Sequence, residues 1–124
     1  LNALPDNLVR RLNELDAELV MLDAQLADPA THADHRKVRA VAARRRAVEP
    51  TVRRWRRWRA AESALADARA MVSAAGSGSA DERELAALAR EECATLESEL
   101  TGLAPALQAD LVTAEDRTVG SMIL

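Results

Sequence analysis

Few side chains in this sequence have the type and spacing to do chemistry. His32 and His35 lie about one helical turn apart and could share a face as metal ligands. No Cys, Asp or Glu completes a set of four at a usual spacing, so they read as exposed histidines at a helix start. Cys93 has no histidine near it in sequence and no nucleophile signature, and is expected to be a buried structural thiol. Gly76-Ser77-Gly78-Ser79 is too short to cradle a phosphate and lacks a following lysine, so it reads as a hairpin turn. Acids such as Glu14, Glu18, Glu84 and Glu91 fall at exposed helical positions, away from any apolar pocket that would raise a carboxyl pKa for acid–base work. The expectation is a chain with no catalytic residues, no cofactor and no metal site, which binds rather than catalyses.

The strongest chemical signal is arginine. Arg44-Arg45-Arg46 is followed by Arg53-Arg54-Trp55-Arg56-Arg57-Trp58-Arg59. Positions 46, 53 and 57, or 45, 56 and 59, recur at helical spacing, so several guanidinium groups line one ridge suited to bidentate contacts with phosphate or carboxylate. Arg45, Arg46, Arg53, Arg56, Arg57 and Arg59 are therefore the candidate partner-binding residues. The alternative is that these arginines pair with acidic helices beside them while the tryptophans fill the core. That alternative is favoured for Trp55 and Trp58, since a bundle so short of large side chains needs them inside rather than stacked on bases.

These residues need helices to position them. Leu8, Leu12, Leu15, Leu19, Leu22 and Leu26 alternate in steps of four and three, which predicts a helix with one continuous apolar stripe. Asp6 is a candidate N-cap, and Asp28-Pro29 ends the helix because a residue before proline is pushed out of the helical region. Thr31 with Asp34 resembles a capping box, which predicts a second, antiparallel helix from about Asp34 to Ala75. Its apolar positions are Val38, Val41, Val48, Val52, Trp55, Trp58, Leu65 and Val72, with a phase drift near the tryptophans. Pro50 predicts either a kink or a split there. Ser79 with Glu82 makes a second capping box, and Leu85, Leu88, Leu96, Leu100 and Leu103 predict the core face of a last helix that frays near Gly102 and Pro105. Residues 110–124 are expected to be a linker and then an extended, strand-like tail ending in Ser121-Met122-Ile123-Leu124.

Composition agrees with this outline. With 124 residues there is room for one modest core, and 27 alanines with only two tryptophans and no Phe or Tyr make large packing units scarce. Four glycines and four prolines against 30% charged residues match long helices rather than a sandwich, a barrel or a disordered tail. The predicted fold is all-α: an antiparallel three-helix, coiled-coil-like bundle over 1–109, with 110–124 leading to a following domain. A lone cysteine and no apolar run near a membrane span point to a cytoplasmic protein without a membrane partner. The opening at Leu1 and the strand-like end suggest a fragment. Net charge is −3, yet residues 35–59 hold eleven Lys or Arg against the single acid Glu49. Such polarity favours a phosphate-bearing or acidic partner, or charge complementarity inside the bundle.

At the level of whole segments the chain resembles the N-terminal part of bacterial class-1 peptide chain release factors. Three features carry the likeness. The leucine-patterned opening helix, Leu8 to Leu26, leads into a turn with Asp28-Pro29. A long second stretch holds Val48-Glu49-Pro50, then Trp55 to Trp58, then Glu62-Ser63-Ala64-Leu65-Ala66-Asp67-Ala68-Arg69. The end, Ala114-Glu115-Asp116-Arg117-Thr118-Val119-Gly120-Ser121-Met122-Ile123-Leu124, is similar to the acidic linker and first strand before the codon-reading domain. The branch that reads UAA and UAG is the nearer look-alike. In that family a codon-reading tripeptide and a Gly-Gly-Gln loop do the decisive work, and neither occurs here, so no residue inherits those roles. What the resemblance implies is a non-catalytic helical domain acting in translation termination. In the family it docks at the ribosomal stalk base, near its protein and rRNA, and influences the release-stimulating GTPase. Two other readings stand beside it: a self-associating helical adaptor pairing through the leucine stripe, and an Arg-rich RNA-binding bundle with a steep salt dependence.

Overall fold

The structure is a computed structural model of the 124-residue chain; it describes residues 4–75 and 78–123, with side chains up to Val112. It is an all-α helical bundle. Four helices follow one another: α1 (Asp6–Ala27), the single-turn α2 (Pro29–His32), α3 (His35–Ala75) and α4 (Ala80–Ile123).

Helix starts follow local chemistry, with two changes from the expected caps. Pro5 stands at the N-cap of α1 and offers no side-chain acceptor, so Asp6 is the first helical residue, where its charge meets the positive end of the helix. Asp28 caps α2 by accepting a hydrogen bond from the Ala30 amide at 2.9 Å, with Pro29 pre-set for the first helical position. Thr31, expected in a capping role for α3, is instead 2% exposed. That role falls to Asp34, whose Oδ1 accepts from the Arg36 and Lys37 amides at 3.1 and 3.3 Å. Ser79 Oγ accepts from the Glu82 amide at 3.2 Å and caps α4 as expected.

The chain divides into two compact units. One comprises Ala3–Trp55 and the chain from Leu107 onward, and so contains α1, α2, the first half of α3 and the end of α4. It buries Leu12, Leu15, Leu19 and Leu22 of α1, Val41, Val48, Val52 and Trp55 of α3, and Leu107 and Leu111 of α4. The leucine stripe of α1 is therefore a real core face, half-buried only at its ends, Leu8 and Leu26. Three helical segments meet here, the arrangement expected from the sequence.

Arg56–Ala106 forms the other unit, a hairpin of two long helices. Its buried side chains are Trp58, Ala61, Leu65 and Ala68 on α3 and Ala86, Ala89, Leu96 and Leu100 on α4. Leu85 and Leu88, expected in the core, are 54% and 57% exposed. The true stripe of α4 runs through Ala86, Ala89, Cys93, Leu96, Leu100, Leu103 and Leu107, in alternating steps of three and four, one residue out of phase with the two leucines. Alanine contributes little apolar signal, yet its small side chain lets two helix axes approach closely, and that decides which face turns inward.

Pro50 decides one of two alternatives, and Pro105 and the tail differ from expectation. Helix α3 runs unbroken through Pro50, so there is no split, although Pro50 offers no N–H to the Arg46 carbonyl one turn back. Likewise α4 continues through Gly102 and Pro105 rather than fraying. Leu107 and Leu111, 0% and 6% exposed, anchor the helix beyond that proline. Over 110–123 the backbone is helical where a linker and extended tail were expected. A lone extended segment has no neighbouring strand to take its backbone hydrogen bonds, whereas a helix satisfies them internally.

Candidate functional site

The arginine-rich part of α3 is the candidate site, and its geometry starts from the helix itself. At 100° per residue, Val41, Val48, Val52 and Trp55 fall on the buried side, and Arg36, Arg39, Ala43, Arg46, Pro50 and Arg53 project from the opposite side. Several neighbouring arginines turn to acids of the same unit. Arg44 makes a two-pronged contact with Glu18 of α1, Nε to Oε2 at 2.6 Å and Nη2 to Oε1 at 2.8 Å. Arg45 Nε donates to Asp23 Oδ1 at 2.5 Å and its Nη1 lies 4.0 Å from Glu49 Oε2. Arg53 donates to Glu49 one turn before it, and Arg54 to Asp110 of α4.

In the hairpin the same pattern repeats. Arg57 reaches Glu99 through both Nε and Nη2, the latter at 2.6 Å, and Arg69 Nη2 donates to Glu97 Oε1 at 3.0 Å. Three of the carboxylates in these pairs are shifted by their partners. The hydrogen bond from Arg44, opposed by partial burial and helped by its charge, holds the Glu18 carboxyl below the usual carboxylate range. Hydrogen bonds from Arg53 and Arg57 do the same for Glu49 and Glu99. Exposed pairs of this kind contribute little to stability, so those between helices chiefly fix which helix faces which.

The candidate partner-binding set thus separates. Arg45, Arg53 and Arg57 spend their guanidinium groups on carboxylates of the fold. Arg56 and Arg59 are exposed on α3. Arg46 is exposed and makes no ion pair among the described residues, as do Arg36, Lys37 and Arg39 earlier on the helix. These last three lie outside the dense arginine run, and for Arg36 and Arg39 the signal in the sequence is their common face with Arg46. Trp55 and Trp58 are 3% and 2% exposed, with the Trp55 indole N–H donating to Asn13 Oδ1 at 3.2 Å. They are core residues and offer no face for stacking.

The remaining candidates for chemistry have structural places. His32 Nε2 donates to the Leu26 carbonyl at 2.5 Å and so closes the end of α1, while His35 is exposed at the start of α3. No group of three or more His, Cys, Asp or Glu among the described residues is placed to hold a metal ion. Cys93 is half-buried rather than enclosed, in a groove shared with Arg69, Val72, Arg90 and Glu97. No helix among the described residues is long and apolar enough to cross a membrane. The α1 leucines that would pair between chains in a self-associating adaptor are instead buried within one chain.

Comparison with known proteins bears on the same residues. The family model of the PCRF domain matches residues 15–124. Peptide chain release factor 1 of Acidobacterium capsulatum is 35% identical over 101 residues, covering 82% of this chain and 25% of that protein. Peptide chain release factor 1 of Acidothermus cellulolyticus is 37% identical over 95 residues, covering 77% of this chain and 25% of the relative. The chain spans about a quarter of the length of these curated relatives. No solved structure gives a significant match.

Proposed function

We propose, from the premise that this chain belongs to the PCRF domain family of peptide chain release factors, that it acts in stop-codon-dependent translation termination as a helical docking element. The observation that carries this reading is the match across residues 15–124, which takes in the whole of the arginine-bearing helix α3. On this reading residues 1–109 are the N-terminal domain and 110–124 lead toward a following one. Codon reading and peptidyl-tRNA hydrolysis belong to other parts of such a factor, and the chain itself is not an enzyme. Its partner is the ribosome, at the protein and rRNA of the stalk base, with the release-stimulating GTPase as a second contact; its location is the cytoplasm.

The contact surface on this reading is the outward ridge of α3. Arg46 is its centre, with Arg53 and Arg57 along the same row of the helix, and Arg45, Arg56 and Arg59 make the neighbouring row. An Arg-rich helix opposite a buried face supports the reading, because long-range attraction to a phosphate-bearing surface raises the encounter rate without demanding a preformed pocket. The test is co-sedimentation of the chain with large ribosomal subunits at increasing salt. We expect pelleting that falls steeply with salt and is reduced several-fold by Arg46→Glu. Binding that ignores both salt and Arg46→Glu overturns the arginine contact; no binding to ribosomes at any salt overturns the docking role.

A further inference from the structure

We infer that the Arg56–Ala106 hairpin carries a second docking surface, for a basic amphipathic helix of a partner protein, on the face of α4 that bears Leu85 and Leu88. The inference is independent of the arginine ridge. Asp81, Leu85, Leu88 and Glu92 succeed one another in steps of four, three and four, so they form a single stripe, and all four are exposed. Leu85 and Leu88 are 54% and 57% exposed, and Met71 of α3 is 51% exposed. Met71 and Leu85 line a common groove of about 260 Å³ together with alanines of both helices and Glu82. Large apolar side chains gathered beside a groove, rather than scattered singly, mark an interaction surface.

The shape and charge of this face say what fits it. A groove between two antiparallel helices accepts a third helix, whose own apolar residues at i, i+3 or i+4, and i+7 enter between the exposed side chains. Charge decides among helices. Between Asp81 and Glu92 there are five acids against two arginines. Of those two, Arg83 donates to the Gly78 carbonyl at 3.3 Å and Arg90 lines the separate groove of Cys93. The leucine stripe is therefore bracketed by Asp81 and Glu92 with no cation on it. Lysines or arginines flanking the apolar face of an incoming helix meet those carboxylates, whereas a second copy of this acidic face is repelled.

The probe is a fluorescein-labelled synthetic helix of about five turns, leucines on one face and lysines on the other, titrated with the 124-residue chain and read by anisotropy. The doubly substituted Leu85→Gln, Leu88→Gln chain keeps helix propensity and charge, and circular dichroism confirms its fold. We expect it to bind at least roughly tenfold more weakly. Asp81→Asn with Glu92→Gln should weaken binding by up to roughly fivefold. Met21→Gln, on an exposed apolar residue of α1, should leave it unchanged. Equal binding by the leucine double variant, or equal binding of a peptide of scrambled order, overturns the proposal. So does concentration-dependent self-association in sedimentation velocity that the leucine double variant abolishes, since the occupant would then be a second copy.

Discussion

The unit built on α1 and the Arg56–Ala106 hairpin use the same two long helices but fill their interiors with different residues. In the first, three helical segments surround leucines and valines, and Leu12 and Leu107 are wholly enclosed at 0% exposure. In the second, Ala61, Ala68, Ala86 and Ala89 share the interior with Trp58, Leu65, Leu96 and Leu100, while Leu85, Leu88 and Met71 remain outside. Where alanines turn inward, as at Ala86 and Ala89, their small side chains set the spacing of the two helices, and the larger side chains one residue out of phase are left at the flank.

Enclosure should show first in the cost of truncation. Leu12→Ala or Leu107→Ala should destabilise the chain by about 2–5 kcal/mol in urea unfolding, through lost burial plus the cavity left behind. Leu88→Ala should cost under about 0.5 kcal/mol. A comparable loss at Leu88 would break the contrast by placing that side chain in a core after all. Enlargement probes the other unit: Ala86→Leu or Ala89→Leu should cost about 1–3 kcal/mol, because the close approach of two axes leaves no room for the added carbons. A stabilised variant would mean the hairpin is loosely packed.

The two units also start their helices alike, through Asp34 for α3 and Ser79 for α4. Asp34→Ala and Ser79→Ala should each cost about 1 kcal/mol, a test of whether local capping matters equally whatever the surrounding core. The smallest expected effect is electrostatic. Glu18, Glu49 and Glu99 titrate below their ordinary range when folded, so each contributes stability at neutral pH. That contribution is complete above the unfolded carboxylate value of 4.5 and is lost as pH falls through the lower folded value. Glu18→Gln should flatten this acid-side decline by under about 1 kcal/mol, given how much solvent reaches the pair. An unchanged decline would mean that the bidentate Arg44 contact contributes nothing net.

Much of the architecture was legible before any coordinates. The leucine steps of α1, the turn at Asp28-Pro29 and the Ser79 cap are local signals, and each is found where the periodicity put it. Trp55 and Trp58 were correctly expected inside, on the simple ground that large side chains were scarce. The errors have one origin. Leu85 and Leu88 outweighed Ala86 and Ala89 in an apolar count, although packing chose the alanines. Gly102 and Pro105 predict a frayed end by their local cost alone, although buried Leu107 and Leu111 hold the helix through them. Cys93 lies on the inward stripe of α4 yet is only half covered, at a groove it shares with Arg69 and Arg90.

As for the candidate site, sequence located the arginines but could not apportion them. That Arg45, Arg53 and Arg57 face carboxylates while Arg46 does not depends on which acids of other turns come within a few ångströms. Periodicity, composition and charge polarity by themselves determined an all-α chain with a basic middle helix, because helical period and turn chemistry act between residues near in sequence. Tertiary structure alone decided which of two adjacent faces of α4 is core, and which guanidinium groups remain open to a partner. Both are settled by contacts between residues far apart in the chain, where close fit and ion pairing outweigh the intrinsic apolarity of any single side chain.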